Sequence, residues 1–181
     1  MLTQPPLVID TGIVSRYGFT GRFDILEALY TDKIIIPSDV VTECVKVSKM
    51  QTPLTQALSS GWLKQFSINY VDHTEIFTTF ASLTKQFGPG ESAVMAIAKI
   101  NGYTVGCDDM AAARKFCERN QIPLMGSLGI LYDAVNNQIL SAADADLVLN
   151  DMVSKSSYRS PVKNFSEVVG WFKNKKGKKL Y

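Results

Sequence analysis

Leu7-Val8-Ile9-Asp10 and the later stretch Tyr103-Thr104-Val105-Gly106-Cys107-Asp108-Asp109 decide the fold class. Each is a short apolar run typical of a buried strand, and each ends in acidic residues. Helical patterns separate such runs along the chain, which predicts βαβ units and a mainly parallel α/β sheet. Because the carboxyl ends of parallel strands meet at one edge of a sheet, we expect Asp10 and Asp108-Asp109 to face one crevice.

Strand and helix patterns alternate over most of the chain. The predicted strands cover residues 7–9, 33–36, 62–68, 103–107 and 123–125. Helical patterns cover residues 23–29, 39–49, 53–60, 76–87, 91–101 and 110–120, and two further helices begin near residues 127 and 142. Ser38 is predicted to cap the second of these helices, and Ser141 with Asp144 resembles a capping box. A weaker pattern over residues 159–172 suggests a helix packed on the edge of the sheet.

Length and charge distribution predict one domain followed by a short tail. The chain has 181 residues, which suits a single domain over residues 1–172 with a full hydrophobic core. Residues 173–181 contain five lysines, so the rest of the chain is mildly acidic although the net charge is +2. The basic tail could contact nucleic acid or an acidic partner, or serve only as a solubilising terminus.

The three cysteines indicate a reducing environment. Cys44, Cys107 and Cys117 form no C-x-x-C pair and lie within apolar patterns, so we expect reduced core residues of a cytoplasmic protein. With one histidine in the chain, His73, a zinc site is not expected. No leader pattern opens the sequence and no apolar run is long enough to span a membrane, so no membrane association is expected.

Glu43 and Glu91 are two further candidates for the crevice. Each of the candidate acids could also have an ordinary structural role. Glu43 lies at the border between the apolar and polar arcs of its predicted helix, where it could be a surface residue. Glu91 stands in a first helical turn, where the helix dipole alone favours a glutamate. Asp10 could cap the next segment, and one of Asp108 and Asp109 could cap the following helix. The sequence leaves open which aspartate does so.

Together, however, these acids predict a metal site. Like charges gathered in one crevice repel each other unless a cation lies between them, and a hard divalent cation with oxygen ligands is the usual solution. Asp10, Glu43, Glu91, Asp108 and Asp109 would suit one or two Mg²⁺ or Mn²⁺ ions. Two such ions can activate a water molecule and stabilise the leaving oxygen in phosphodiester hydrolysis.

The order of the motifs resembles that of PIN domains. The resemblance rests on Leu7-Val8-Ile9-Asp10-Thr11, on residues 36–43, on Gly88-Pro89-Gly90-Glu91 with the small residues that follow it, on Asp108-Asp109 with Ala113-Arg114, and on residues 126–131. Each motif is weak alone, but their order and spacing over residues 7–161 are fairly specific. The block beginning at Gly88 is similar to a signature of the VapC-like toxin subgroup.

This resemblance implies a three-layer α/β/α sandwich with a five-stranded sheet in the order 3-2-1-4-5. It implies a Mg²⁺- or Mn²⁺-dependent ribonuclease, often the toxin of a toxin–antitoxin pair, with RNA as substrate, a protein antitoxin as partner and a homodimer as the assembly. The expected metal-site acids are Asp10, Glu43, Glu91 and Asp108 or Asp109. Thr11 and Ser127 would supply hydroxyls near the site. Arg114 could reach a phosphate or pair with an acid, or form an ordinary salt bridge. Lys85, Arg16 and Arg22 are possible contacts to the RNA backbone, although nothing in the sequence places them at the site.

Other readings explain less of the sequence. Asp10-Thr11-Gly12 also spells the motif of aspartic proteases, but no second motif accompanies it. A phosphatase with an aspartyl nucleophile would usually have another aspartate where Gly12 stands, and no phosphate-binding P-loop is present. The remaining alternative is a PIN-like module that binds RNA or protein without catalysis. Against it, acids kept near RNA phosphates would repel the ligand.

Overall fold

A computed structural model describes residues 6–168 and residue 170, apart from the side chains of residues 110–112. The strands are β1 Leu7–Ile9, β2 Ile34–Pro37, β3 Lys64–Phe66, β4 Thr104–Gly106 and β5 Leu124–Met125. They form one parallel sheet in the order β3-β2-β1-β4-β5. Helices flank this sheet, which confirms the predicted three-layer architecture and strand order.

The helices alternate with the strands. They are α1 Thr11–Phe19, α2 Phe23–Tyr30, α3 Ser38–Cys44, α4 Ser48–Ser59, α5 Thr74–Leu83, α6 Pro89–Asn101, α7 Met110–Asn120, α8 Ser127–Asn136 and α9 Ala142–Ser156. Several predicted signals are confirmed. Gly102 ends α6 in the left-handed conformation, with φ of 67°. Ser141 and Asp144 form the predicted capping box of α9.

The central strands and α6 bring the acidic segments together. All three residues of β1 are buried, and Ile9 pairs in register with Gly106 of β4. Residues 92–98 of α6 are also buried, and this helix packs against β1, β2 and β4. The small side chains of Ala93, Ala96 and Ala98 permit this close approach. The carboxyl ends of β1 and β4 lie where the strand order reverses, which is where open parallel sheets form a crevice.

Four local features differ from the sequence predictions. Helix α1 was not predicted, although Ile13, Val14 and Tyr17 lie at helical spacing and are buried. The expected helix over residues 39–49 is divided: α3 ends at Cys44, and α4 begins at Ser48 rather than at Pro53. Met50, Leu54 and Ala57 share one buried face of α4, and their burial outweighs the disruption by an internal proline.

The third correction concerns Ser38, which does not cap α3. The N-cap position is Pro37, and Ser38 Oγ instead bonds with Ser67 Oγ at 2.6 Å. Strand β3 is shorter than predicted, since Trp62 and Leu63 are buried but precede it. These differences concern the edge of the sheet at β3 and do not affect the central strands.

Other predictions are tested only in part. The three cysteines are free and buried. Over the described residues, each helix is too short or too polar to cross a lipid bilayer. Residues 165–168 form a helical turn, and Phe165 and Val168 within it are buried. The rest of the predicted edge helix after residue 170, and the lysine-rich tail at residues 173–181, lie outside the described residues.

Candidate active site

A crevice opens at the carboxyl ends of β1 and β4 and has a volume of about 610 Å³. All five predicted acids line it: Asp10, Glu43, Glu91, Asp108 and Asp109. The remaining lining residues are Thr11, Gly12, Arg16, Gly88, Ser157, Tyr158 and Arg159. Carboxylates from β1, α3, α6 and the segment after β4 therefore share one cavity, although they are widely separated in sequence.

Asp10 is buried at the base of this crevice, with 6% of its surface exposed. Its Oδ1 accepts a hydrogen bond from the Ile13 backbone N–H at 2.8 Å, so Asp10 both caps α1 and faces the cavity. Burial raises the pKa of its carboxyl to about 7, and the negative charges of Asp108 and Glu91 add to the rise. Hydrogen bonds from Cys107 and Ile13 act in the opposite direction, but they offset only part of this rise in pKa.

Glu43 is held by residues from two other helices. Thr11 Oγ1 donates to Glu43 Oε2 at 2.5 Å, and the Gly90 backbone N–H donates to Glu43 Oε1 at 3.1 Å. Gly90 also leaves the room that the carboxylate occupies, because a Cβ at this position would lie 2.9 Å from both carboxylate oxygens. The predicted hydroxyl of Thr11 thus orients an acid of the crevice, and a backbone amide that the sequence did not indicate assists it.

Gly90→Ala should displace the Glu43 carboxylate and lower activity at the crevice about 10- to 100-fold, because small misplacements of active-site groups have effects of this size. The fold should persist, since the atoms in conflict belong to the end of a flexible side chain. The matched control is Gly88→Ala, whose Cβ would meet only Glu91 Oε2, at 3.9 Å. Equal activity of the two variants in an RNA cleavage assay would contradict this role of Gly90.

Asp108 and Asp109 occupy different environments. Asp108 Oδ1 accepts from the Ser127 backbone N–H and Asp108 Oδ2 accepts from Ser127 Oγ, both at 2.7 Å. This carboxylate therefore also satisfies the N-terminus of α8. Burial raises the pKa of Asp108, although the hydrogen bonds from Ser127 and the charge of Arg16 oppose the rise. Asp109 is exposed and lines the same crevice.

Ser127→Ala should lower the free energy of unfolding by roughly 1.5–3 kcal/mol, because it removes a hydrogen bond to a buried carboxylate. Ser92→Ala is a matched control: its serine is also fully buried, but its Oγ makes only a 3.4 Å contact to the Phe87 carbonyl oxygen. The control should cost less than about 1 kcal/mol. Urea denaturation in EDTA measures both, and an equal loss would show that the Ser127–Asp108 bond is unimportant.

The arginine that lines the crevice on a helix is not the one that the motifs predicted for the site. Arg114 lies half-buried on α7 and is not among the lining residues, and its Nε has no hydrogen-bond partner within the described part of the chain. Arg16 lines the crevice instead, with its Nε 3.7 Å from Asp108 Oδ2. The helical spacing of Ile13, Val14 and Tyr17 could have placed Arg16 near Asp10 had α1 been predicted. No sequence signal pointed to Tyr158 or Arg159.

The donor atoms of the crevice fit a divalent metal ion. They are carboxylate and hydroxyl oxygens, which Mg²⁺ and Mn²⁺ prefer, and the raised pKa of Asp10 shows that negative charge is costly at this position. Gly12 leaves the Asp10 carboxylate uncovered, because a Cβ there would lie 3.1 Å from its Oδ1. Among the described residues, no three His, Cys, Asp or Glu side chains stand close enough to hold an ion as they are. Binding would therefore require carboxylates to rotate toward the ion.

A family model described as a PIN domain matches residues 6–172, which is most of the chain. No curated protein is significantly similar to this sequence. The matched range includes every residue that lines the crevice.

Proposed function

Because the chain belongs to the PIN-domain family, whose members are generally nucleases, we propose that it is a Mg²⁺- or Mn²⁺-dependent endoribonuclease. One observation carries this proposal: five carboxylates from four separate segments line a single open crevice. Asp10, Glu91 and one or both of Asp108 and Asp109 would hold the metal, and Glu43 would complete the acidic set. The substrate would be an RNA phosphodiester.

Hydrogen bonds hold three of the crevice carboxylates in place in the absence of a ligand. A bound Mg²⁺ or Mn²⁺ would supply Lewis-acid stabilisation of the phosphate and activation of the attacking water. The Ile13 amide fixes Asp10, Thr11 and Gly90 fix Glu43, and Ser127 fixes Asp108. Such hydrogen bonds reduce the reorganisation that the reaction requires, so they support a catalytic use of the crevice.

The test is cleavage of labelled single-stranded and structured RNAs in Mg²⁺, Mn²⁺ or EDTA. We expect cleavage with either ion and none in EDTA. The products should lack 2′,3′-cyclic phosphates, because the attacking oxygen comes from water rather than from the neighbouring 2′-hydroxyl. This end-group analysis separates the proposed activity from contaminating metal-independent ribonucleases. Cleavage in EDTA, or cyclic-phosphate products, would contradict the proposal.

The alternative is a PIN-like module that binds RNA or protein without cleaving. The acidic lining argues against this alternative, because uncompensated carboxylates repel RNA phosphates. The same assay distinguishes the two functions. A binding module would bind the RNA but would leave it intact in both Mg²⁺ and Mn²⁺.

We also propose membership of the VapC-like toxin subgroup and a protein antitoxin as partner. The block from Gly88 to Ala98 supports the subgroup, since it carries the sequence similarity to the signature of these toxins. A ribonuclease with an open crevice endangers the RNA of its own cell, so an inhibitor that occupies the crevice would be required. A homodimer and a cytoplasmic location, where RNA is available and thiols stay reduced, complete this proposal.

A further inference from the structure

The lining of the crevice contains positive charge as well as the carboxylates. Arg16 projects from α1, and Arg159 follows the end of α9, and both line the cavity that contains the acids. Residues 157–159 contribute three consecutive lining residues from the far end of the chain.

The turn after α9 directs this segment toward the crevice. Ser157 adopts a left-handed conformation with φ of 54°, and the Tyr158 backbone N–H donates to the Met152 carbonyl at 3.2 Å. The Ser157 backbone N–H also donates to the Met152 carbonyl oxygen, so these bonds and the left-handed Ser157 end α9 and turn the chain. As α9 also packs against α1, Tyr158 lies beside Arg16, and Arg159 follows it in the lining of the same crevice.

Contacts on three sides hold the Arg16 guanidinium. It donates through Nη1 to the Ser156 carbonyl oxygen, it lies over the Tyr158 ring at 5.4 Å from the ring centroid, and its Nε faces Asp108 Oδ2 at 3.7 Å. The Nε has no hydrogen-bond partner among the described residues. This Nε is itself buried, but a guanidinium carries five N–H donors, so the Nη donors that these contacts do not use can still bind an anionic ligand.

We infer that Arg16 and Arg159 form a subsite for a backbone phosphate of the RNA, next to the phosphodiester held at the acids. The inference rests on the proposed function and assigns these residues to substrate positioning. A strand in the crevice would have one phosphate at the carboxylates with their metal and a neighbouring phosphate at the two arginines. Arginine matches phosphate geometry through paired N–H donors, whereas the carboxylates alone would repel it.

The test uses Arg159→Ala, because Arg159 is exposed and its loss should not disturb the fold. Lys155→Ala is the matched control: Lys155 is an exposed cation near the end of α9, pairs with Asp151 and does not line the crevice. The probe is a labelled 12-nucleotide single-stranded RNA, measured by fluorescence anisotropy in EDTA over a range of salt concentrations. Arg159→Ala should weaken binding about 3- to 10-fold and reduce the salt dependence by about 0.7 logarithmic units per decade, the value for one phosphate contact.

Steady-state cleavage in Mg²⁺ gives a second readout. Arg159→Ala should raise KM by a similar factor while kcat stays within about 2-fold, because a group that binds the substrate away from the reacting bond contributes equally to ground and transition states. Arg16→Lys, which keeps the charge but loses the planar guanidinium, should also raise KM.

Equal behaviour of Arg159→Ala and Lys155→Ala in both assays would overturn the inference, because general electrostatic attraction would then explain the binding. In that case metal-dependent cleavage by the wild type would still support the proposed function. If the wild type neither binds nor cleaves RNA, the proposed function fails and the phosphate subsite fails with it.

Discussion

Asp10→Asn is expected to reduce metal-dependent RNA cleavage by about 10³-fold or more. The substitution keeps the size of the side chain and an oxygen that can accept from Ile13, but it removes the negative charge at the base of the crevice. Charge stabilisation of a phosphate by a bound cation is worth several kcal/mol, and loss of the cation forfeits it. The measurement is the single-turnover cleavage rate in saturating Mg²⁺ or Mn²⁺.

Asp24→Asn is the matched control, since Asp24 is exposed, pairs with Arg22 and does not line the crevice. It should cleave at the wild-type rate. If Asp10→Asn retained more than about a tenth of the wild-type rate, Asp10 would not belong to the metal site as we describe it.

The second large effect is on stability, which Asp10→Asn should increase although it abolishes activity. In EDTA, the wild-type protein should lose roughly 2–3 kcal/mol of unfolding free energy between pH 5 and pH 8 through Asp10 alone. The pKa of this carboxyl is about 7 in the folded protein and near 3.8 when unfolded. Over this interval the folded state retains the proton that the unfolded state has lost, so stability falls as the pH rises and levels off above pH 7.

Asp10→Asn should lack most of this pH dependence and should be more stable than the wild type at pH 8 in EDTA. For a chain of this length the difference corresponds to a melting temperature about 5–10 °C higher. Added Mg²⁺ or Mn²⁺ should stabilise the wild type and leave the variant unchanged, because the cation offsets the buried charge. Parallel pH profiles of the two proteins in thermal denaturation would show that Asp10 is not the titrating group.

Much of the fold followed from short-range patterns in the sequence. The apolar runs at residues 7–9 and 103–107 located the two central strands, since strands buried on both faces are continuously hydrophobic. Glycine and capping signals located the ends of α6 and the start of α9. Helix α1 was missed because Gly12 and Thr11 are poor helix formers, and tertiary burial of Ile13, Val14 and Tyr17 overrides their preference.

The acids of the crevice were also predictable. Asp10 and Asp108-Asp109 follow buried strands, and Glu91 stands in a first helical turn. Glu43 lies at the border between the apolar and polar arcs of its predicted helix. The groups that orient these acids were harder to predict from the sequence. The Gly90 amide reaches Glu43, and Arg16 contacts Ser156 and Tyr158, across long separations in sequence. Only the packing of α3 against α6 and of α1 against α9 brings these residues together. Arg114 is the opposite case, since it stands at a plausible motif position but does not line the crevice.

The most direct test of the central claim measures Mn²⁺ binding and RNA cleavage in the same samples. Free Mn²⁺ is followed by electron paramagnetic resonance while the cleavage rate is recorded over a Mn²⁺ titration. We predict that bound Mn²⁺ and cleavage rise together with one half-saturation concentration, and that both are lost in Asp10→Asn. Wild-type Mn²⁺ affinity in that variant, or cleavage without bound metal, would contradict a metal-dependent nuclease site at these acids.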